Sequence, residues 1–178
     1  VDAPDFVGTV LIENGRIAAV GADIAVPESA TAIDLAGFHV YPGLIDAGTT
    51  LGINEIRLIE ISHDFSESGR IQPDVRAGSV VNADSDQIAV SRAGGITTTL
   101  LRPHGILIGG QCALVQLAGW PTPELVLNDT AGLSIDWPGE PENQHRLREF
   151  FAQARVFERI QSQPEDSRPD VVRDPRFE

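Results

Sequence analysis

Four histidines are the residues best suited to acid–base or metal chemistry: His39, His63, His104 and His145. His104 follows a segment predicted to be a buried strand, and an imidazole there can bind a substrate or transfer a proton near neutral pH. The alternative for His104 is a loop histidine bonded to backbone. We expect His39 to be structural, because it lies in a predicted strand, and His145 to be solvated on the polar side of a helix.

Two other motifs contain residue types used in catalysis or phosphate binding, but their spacing argues against both uses. Ser62-His63-Asp64 has the residues of a nucleophilic triad, yet adjacent residues cannot face one another as a triad requires. Gly109-Gly110-Gln111 is similar to a phosphate-binding loop but lacks the Lys and Ser/Thr that would follow. A turn or a close approach of two backbones explains the glycines better, and Gln111 is kept as a candidate to face a substrate.

Three further side chains are candidates to face a substrate. Thr50 and Glu55 follow a short apolar segment, and a solvated loop position is the alternative for both. Arg76 could clamp a substrate carboxylate with two parallel hydrogen bonds. Its alternative is an ion pair with a neighbour such as Asp74 or Asp84.

The composition excludes several classes of site and partner. The 13 basic residues are all Arg, so this chain has no Lys nucleophile, no Schiff base and no carbamylated Lys. A formal net charge of −13 repels phosphate backbones and argues against nucleic acid as a partner. The single cysteine, Cys112, excludes an internal disulfide and is expected to be a buried thiol. The sequence contains no run of roughly 18 apolar residues, the length that a membrane-spanning helix needs, so no membrane partner is expected.

The first part of the chain has a strong β pattern. Two apolar runs, Val7–Ile12 and Ile17–Val20, flank Asn14-Gly15, which is the strongest short signal for a hairpin. Further short strands are predicted over 24–26, 31–35 and 38–41. Short strands separated by turns predict a small sheet or half-sandwich.

The rest of the chain alternates between strands and helices. Apolar segments predict buried strands over 44–47, 96–101 and 112–117, and helical spacing predicts helices over 85–93 and 142–161. Strand, helix and strand, with Gly94-Gly95 ending the helix, are typical of a parallel βαβ unit. Residues 62–82 are read as a long loop, residues 119–143 look irregular, and the charged, proline-containing tail from residue 163 is expected to be exposed and mobile.

Several motifs together resemble the entry to the amidohydrolase superfamily. They are Ile12–Gly21, the Ile33-Asp34-x-x-Gly37 turn and Val40–Ala47, the last of which reads Val-Tyr-Pro-Gly-Leu-Ile-Asp-Ala. Later segments resemble the imidazolonepropionase-like branch of that superfamily, namely Arg76-Ala77, Asn82, Ala93–Thr98 and Gly109–Gln111. The resemblance covers about residues 7–120 and, more loosely, the helix near 147–161.

The resemblance implies an α/β fold with a small β-sandwich part. Residues 1–43 would form a half-sandwich, part of a composite domain built from both chain ends. Residues 44–162 would form the first βαβ elements of an incomplete TIM-like (β/α)8 barrel, and residues 163–178 an exposed tail. The sequence is too short for a complete barrel, has no Met and shows no obvious stop, so we expect a truncated amino-terminal portion.

The metal-ligand motif of the family is replaced in this sequence. The resemblance implies His-x-His at the carboxyl end of the first barrel strand, where side chains two positions apart point the same way and can reach one metal. Gly48 and Thr50 occupy these two positions. Because glycine has no side chain and a threonine hydroxyl is a poor zinc ligand, we expect a degenerate metal site. We expect no cofactor in this chain, where the family would use zinc or another divalent metal.

The resemblance implies hydrolysis of carbon–nitrogen bonds other than peptide bonds, with a small molecule as the substrate. The family's remaining ligands and its catalytic Asp would lie beyond residue 178, so we expect this chain alone to be inactive. The alternative is a non-catalytic homologue acting as a binding or partner subunit, and a third reading is an unrelated acidic binding domain. Unpaired strand edges predict a homo-oligomer or a complementary fragment. No leader is seen, and cytoplasmic and exported locations both stay open.

Overall fold

The computed structural model describes residues 6–56, 58–59, 62–119, 121–164 and 174–177. The chain divides into two units, Val1–Tyr41 and Pro42–Glu178. Within the described residues, no helix combines the length and the apolar character needed to cross a membrane.

The described residues of the first unit form one β-hairpin. Strand β1 (Thr9–Glu13) pairs antiparallel with strand β2 (Arg16–Gly21), as the sequence predicts. Asn14 and Gly15 connect the strands, and both have positive φ angles, 50° and 72°. Positive φ at both central residues is the conformation of a type I′ turn, whose twist matches that of the flanking strands, and Asn-Gly adopts it at low cost.

The prediction of strands over 24–26, 31–35 and 38–41 is wrong. The described residues between β2 and Pro42 form turns and irregular backbone instead. Their apolar side chains are largely exposed, including Ile33 (77%), Phe38 (76%) and Tyr41 (73%). A β-rich composition becomes a strand only where a second strand satisfies its backbone groups, and no described residue pairs with these segments.

The second unit is built on a four-stranded sheet in the order β3-β4-β5-β6. Strand β3 (Leu44–Thr49) and strand β4 (Ile96–Leu101) are parallel, and helix α1 (Asp86–Ala93) lies between them in the chain. The sequence therefore predicts this βαβ unit correctly, although β3 continues two residues beyond the predicted end. Gly95 has a φ of 92°, a conformation that suits glycine at the sharp turn from α1 into β4.

The other two strands complete the sheet in antiparallel fashion. Strand β5 (Ile108–Gln116) pairs with β4 on one side and with strand β6 (Val126–Ile135) on the other. The prediction that residues 119–143 are irregular is wrong, because they include β6 and the short helix α2 (Thr122–Leu125). Asn, Asp and Gly lower the strand propensity of β6, and its register with the buried strand β5 decides the conformation.

Helix α3 (Pro141–Gln161) agrees with the predicted amphipathic helix. Its buried residues Leu147 and Phe150 pack with Ile108 at the start of β5. The expectation of an exposed tail is wrong for Phe177, which is partly buried and stacks on Phe150 with ring centroids 5.2 Å apart. Residues 165–173 of that tail lie outside the described residues.

The main core lies between the sheet, α1 and the connection that precedes α1. Its buried apolar side chains come from β4, β5, α1, α2 and the segments that connect these elements. They are Ile53, Ala77, Val81, Ile88, Leu101, Ala113, Val115, Leu117 and Leu125. This core holds β4 and β5 rigidly, so the residues that follow the strand ends have defined positions.

Candidate functional site

The carboxyl ends of three strands lie at the same edge of the sheet of the second unit. Strands β3, β4 and β6 run in the same direction, because β4 is parallel to β3 and β6 is antiparallel to β5. We call this the carboxyl edge and define it by the last residue of each strand and the residue after it. These residues are Thr49, Thr50, Leu101, Arg102, Ile135 and Asp136.

Gly48 and Thr50 lie at the β3 end of the carboxyl edge. Gly48 is exposed, and a Cβ atom built on it would meet no other atom within 4 Å. Its backbone N–H donates to Oδ1 of Asp46 at 3.3 Å. Thr50 is half-buried, and its carbonyl accepts a turn hydrogen bond from the N–H of Ile53 at 3.0 Å. The β3 end therefore presents open space and one hydroxyl group.

Glu55 binds the start of helix α1. Its Oε1 accepts a hydrogen bond from Asn82 Nδ2 at 3.2 Å, and its Oε2 accepts one from Ser85 Oγ at 3.0 Å. Ser85 is the N-cap residue of α1 and is only 4% exposed. Gln87 adds bonds from Nε2 to the carbonyls of Asn54 and Glu55 at 2.8 and 2.9 Å. This network fastens the segment after β3 to α1.

Arg76 and Gln111 are neighbours, but both side chains are engaged within the fold. The two residues form an isolated parallel bridge. Arg76 Nη1 donates to Asp129 Oδ2 at 2.7 Å, so the ion-pair alternative is realised with a partner on β6. Gln111 Nε2 donates to the carbonyl of Pro73 at 2.9 Å. Gly110 completes this close packing, since a Cβ built on it would lie 2.6 Å from the Val75 carbonyl oxygen.

His104 lies in an open groove on the loop after β4. The groove has a volume of about 380 Å³ and is lined by residues 65–69 and 104–106. The exposed imidazole meets the ring of Phe65 edge-on with centroids 5.2 Å apart, and His63 contacts the same ring at 5.1 Å. The backbone N–H of His104 donates to the carbonyl of Phe65 at 2.6 Å. The structure therefore holds the His104 backbone and leaves its ring accessible.

The other histidines occupy three different settings. His145 is 71% exposed on α3 and lies 3.3 Å from the carboxylate of Glu149, in agreement with the predicted solvated position. His39 is exposed beside Tyr41, in irregular backbone where a strand was predicted. The Nε2 atom of His63 is buried and has no hydrogen-bond partner among the described residues.

One ion pair of the carboxyl edge was not among the predicted site residues. Arg102 follows β4, Asp136 follows β6, and Arg102 Nη2 contacts Asp136 Oδ1. The signal in the sequence was a cation placed directly after a predicted buried strand. Burial raises the pKa of the Cys112 thiol on the intervening strand β5, and the nearby Arg102 charge partly opposes that rise. The buried thiol agrees with the prediction for Cys112.

The predicted site residues thus lie in four places rather than in one cluster. Thr50 is on the carboxyl edge, Glu55 is at the start of α1, Gln111 is on β5 with Arg76 beside it, and His104 is in its groove. In the part of the chain that the structure describes, no three His, Cys, Asp or Glu residues are grouped so that they could hold a metal ion. The residues at Gly48 and Thr50 do not fit an imidazole-bound metal, because neither offers a nitrogen ligand.

Sequence comparison finds relatives among hydrolytic enzymes. No protein-family model matches the chain. An amidohydrolase, tasK, of Hapsidospora irregularis is 30% identical over 118 residues, which are 64% of this chain and 12% of that protein. A dihydroorotase of Mycobacterium tuberculosis is 43% identical over 42 residues, which are 24% of this chain and 10% of that protein. The matched segments therefore span only about a tenth of these curated relatives.

Structural comparison finds the same kind of protein. An amidohydrolase from Thermotoga maritima MSB8 superposes with a TM-score of 0.82 at 22% sequence identity. The superposition covers 94% of this chain and 48% of that chain. The sequence and structural comparisons thus both find a protein named amidohydrolase as similar to this chain.

Proposed function

We propose that this chain belongs to the amidohydrolase superfamily and is part of a protein that hydrolyses carbon–nitrogen bonds other than peptide bonds in small molecules. The observation that carries the proposal is the sequence similarity to an amidohydrolase, 30% identical over 118 residues, and the fold likeness over 94% of the chain agrees with it. The curated relatives named amidohydrolase and dihydroorotase support the same reaction class. The Arg76, Asn82 and Gly109–Gln111 motifs favour the imidazolonepropionase-like branch.

The fold proposal is that the two units belong to larger assemblies of strands. The hairpin of the first unit exposes Ile12 (64%) and Ile17 (68%), which suits one half of a composite β-sandwich. The edge strand β3 likewise exposes Leu44 (62%) and Ile45 (69%). Free edges and exposed apolar side chains of this kind are normally covered, so we propose that β3 and β4 begin a TIM-like barrel. The 48% coverage of the Thermotoga protein is consistent with that role.

The metal position of the superfamily is altered in this proposal. The family resemblance implies a metal ligand at each of the two positions that Gly48 and Thr50 occupy. Neither residue can hold zinc or another divalent ion as an imidazole would. No catalytic step is therefore assigned to a metal at β3. Of the proposed substrate-facing residues, Thr50 and His104 have the side chains available for contact, as a hydroxyl donor or acceptor and as an imidazole that can transfer a proton.

A second candidate function is a non-catalytic homologue that acts as a binding or partner subunit. The observation that favours it is the same pair of positions, Gly48 and Thr50, because loss of both ligands removes the usual way to activate water. Exposed strand edges also suit a homo-oligomer or a complementary fragment. The two functions differ in whether the whole natural protein turns over a substrate.

The test measures turnover and metal content separately. The whole natural protein is offered an N-acyl amino acid, a urea and a cyclic amide, and products are followed by mass spectrometry. Turnover of one of them supports the hydrolase, whereas a folded protein that converts none of them supports the non-catalytic homologue. The purified chain is expected to hold zinc only substoichiometrically, and tight stoichiometric zinc would contradict the altered site.

A matched variant tests the role assigned to the two positions. Gly48→His combined with Thr50→His restores the two imidazoles, and the open space at Gly48 can accept the larger side chain. We expect measurably stronger zinc binding by the double variant than by the native chain. Arg76→His combined with Gln87→His adds two imidazoles elsewhere and should not change zinc binding. Equal zinc binding by native chain and both variants would overturn the assignment of these positions.

A further inference from the structure

The Arg102–Asp136 pair places a charged group on the carboxyl edge, between two strand ends. The two side chains are 39% and 44% exposed, so a small molecule can reach them from solvent. Among the contacts of the described residues, Arg102 uses Nη2 alone, toward one oxygen of Asp136. A guanidinium has five N–H donors in a planar fork, and a single contact leaves most of them for another acceptor.

The backbone holds both partners of the pair in fixed positions. The N–H of Arg102 donates to the carbonyl of Thr49 at 2.9 Å, which ties Arg102 directly to the end of β3. The N–H of Asp136 donates to the carbonyl of Leu107 at 3.0 Å. The backbone of Arg102 is therefore tied to Thr49, the residue between Gly48 and Thr50 in the chain. Of the three strand ends, only that of β4 is followed by a cation.

The net negative charge of the chain makes a positively charged side chain favourable for binding an anionic ligand. With 26 acidic and 13 basic residues, the surface repels small anions on average. Arginine recognises a carboxylate through two parallel hydrogen bonds, a geometry that the single contact with Asp136 does not use. An external carboxylate can therefore offer Arg102 more than its resident partner does.

We propose that Arg102 binds the carboxylate of an anionic ligand, and that Asp136 is the counter-ion which this ligand displaces. The inference rests on the proposed function and narrows its substrate class to small carbon–nitrogen compounds that carry a carboxylate, such as N-acyl amino acids. Asp136 keeps the guanidinium in place while the ligand is absent.

The chain contains a matched control for this pair. Arg76 and Asp129 also form an Arg–Asp ion pair, at 2.7 Å, with side chains 52% and 46% exposed. Asp129 lies within β6 and Arg76 forms a bridge with Gln111 on β5, so neither residue follows the end of a strand. A general effect of freeing an arginine would appear at both pairs, whereas the proposed site predicts an effect at Arg102 alone.

The experiment titrates the full chain with N-acetylglycine and follows the arginine Nε–H signals by 15N NMR. The Arg102→Gln variant identifies the Arg102 signal, which is expected to shift saturably with N-acetylglycine and not with neutral N-acetylglycinamide. Asp136→Asn removes the competing carboxylate and should tighten binding several-fold, while Asp129→Asn should leave it unchanged. Arg102→Gln should weaken binding by about tenfold or more, the size expected for a hydrogen-bonded charge pair.

Three outcomes would overturn the proposal. The first is an Arg102 signal of the native chain that does not respond to N-acetylglycine. The second is an equal response to chloride at the same concentration, which would show a general ionic effect. The third is equal tightening by Asp136→Asn and Asp129→Asn.

The proposed function can fail independently of this site. Saturable binding of N-acetylglycine without any turnover by the whole protein would keep the carboxylate site and count against the hydrolase. Turnover of neutral amides without N-acetylglycine binding would keep the hydrolase and overturn the site.

Discussion

Removing the carboxylate of Glu55 tests how the structure fastens the segment after β3 to α1. In Glu55→Ala, the Ser85 hydroxyl loses its 3.0 Å acceptor in a residue that is only 4% exposed. An unsatisfied buried hydroxyl costs about 1–2 kcal/mol. The exposed bond from Asn82 and the loss of a negative charge near the helix N-terminus add about 1 kcal/mol. We therefore expect the free energy of unfolding to fall by about 2–3 kcal/mol.

The assay is urea unfolding of the full chain, followed by far-ultraviolet circular dichroism. Glu55→Gln keeps one oxygen acceptor but loses the charge, so it should lose about 1 kcal/mol, less than Glu55→Ala. Glu149→Ala is the matched control, because Glu149 is 58% exposed and contacts only His145 among the pairs described, a contact worth less than about 0.5 kcal/mol. Amide exchange in α1 should accelerate in Glu55→Ala. Equal stability of Glu55→Ala and Glu149→Ala would refute the reasoning.

Three further predictions concern packing and titration. A Cβ on Gly109 would lie 2.6 Å from a backbone carbon, so Gly109→Ala should lower the free energy of unfolding by about 2–3 kcal/mol. Gly48→Ala meets open space and should change it by less than about 1 kcal/mol; equal urea midpoints for the two variants would contradict this packing. Burial raises the pKa of the Cys112 thiol above its ordinary 9.0, so the stability that the buried thiol contributes is full below pH 9.0 and is lost as the pH rises through the folded-state pKa. Cys112→Ala should lack this loss of stability in urea titrations at alkaline pH. An identical loss in the variant would contradict the prediction. Phe177→Ala removes the stacking on Phe150 and should lower the thermal midpoint and speed amide exchange in α3, whereas unchanged exchange would show that the contact is not formed in solution.

Local signals in the sequence identify the elements that depend on neighbouring residues alone. Asn14-Gly15 predicts its hairpin because both residues adopt positive φ at low cost. The run over Ile96–Leu101 predicts β4 at its observed bounds, since β-branched and apolar residues suit a buried strand. The apolar spacing of α3 predicts a helix within one residue of its observed start. The same reading fails at β6, whose polar residues become a strand only by pairing with β5.

The candidate site likewise has features that follow from residue identity alone and features that depend on the fold. The sequence alone determines that positions 48 and 50 are Gly and Thr, which offer no nitrogen ligand, and that this chain has no Lys, because these are properties of residue identity. Only the tertiary structure joins Arg102 to Asp136, 34 positions later, and Arg76 to Asp129, 53 positions later. Such pairs depend on strand order and register, which follow from the packing of the whole sheet. Residue types therefore decide which chemistry is available, and the sheet decides which side chains meet.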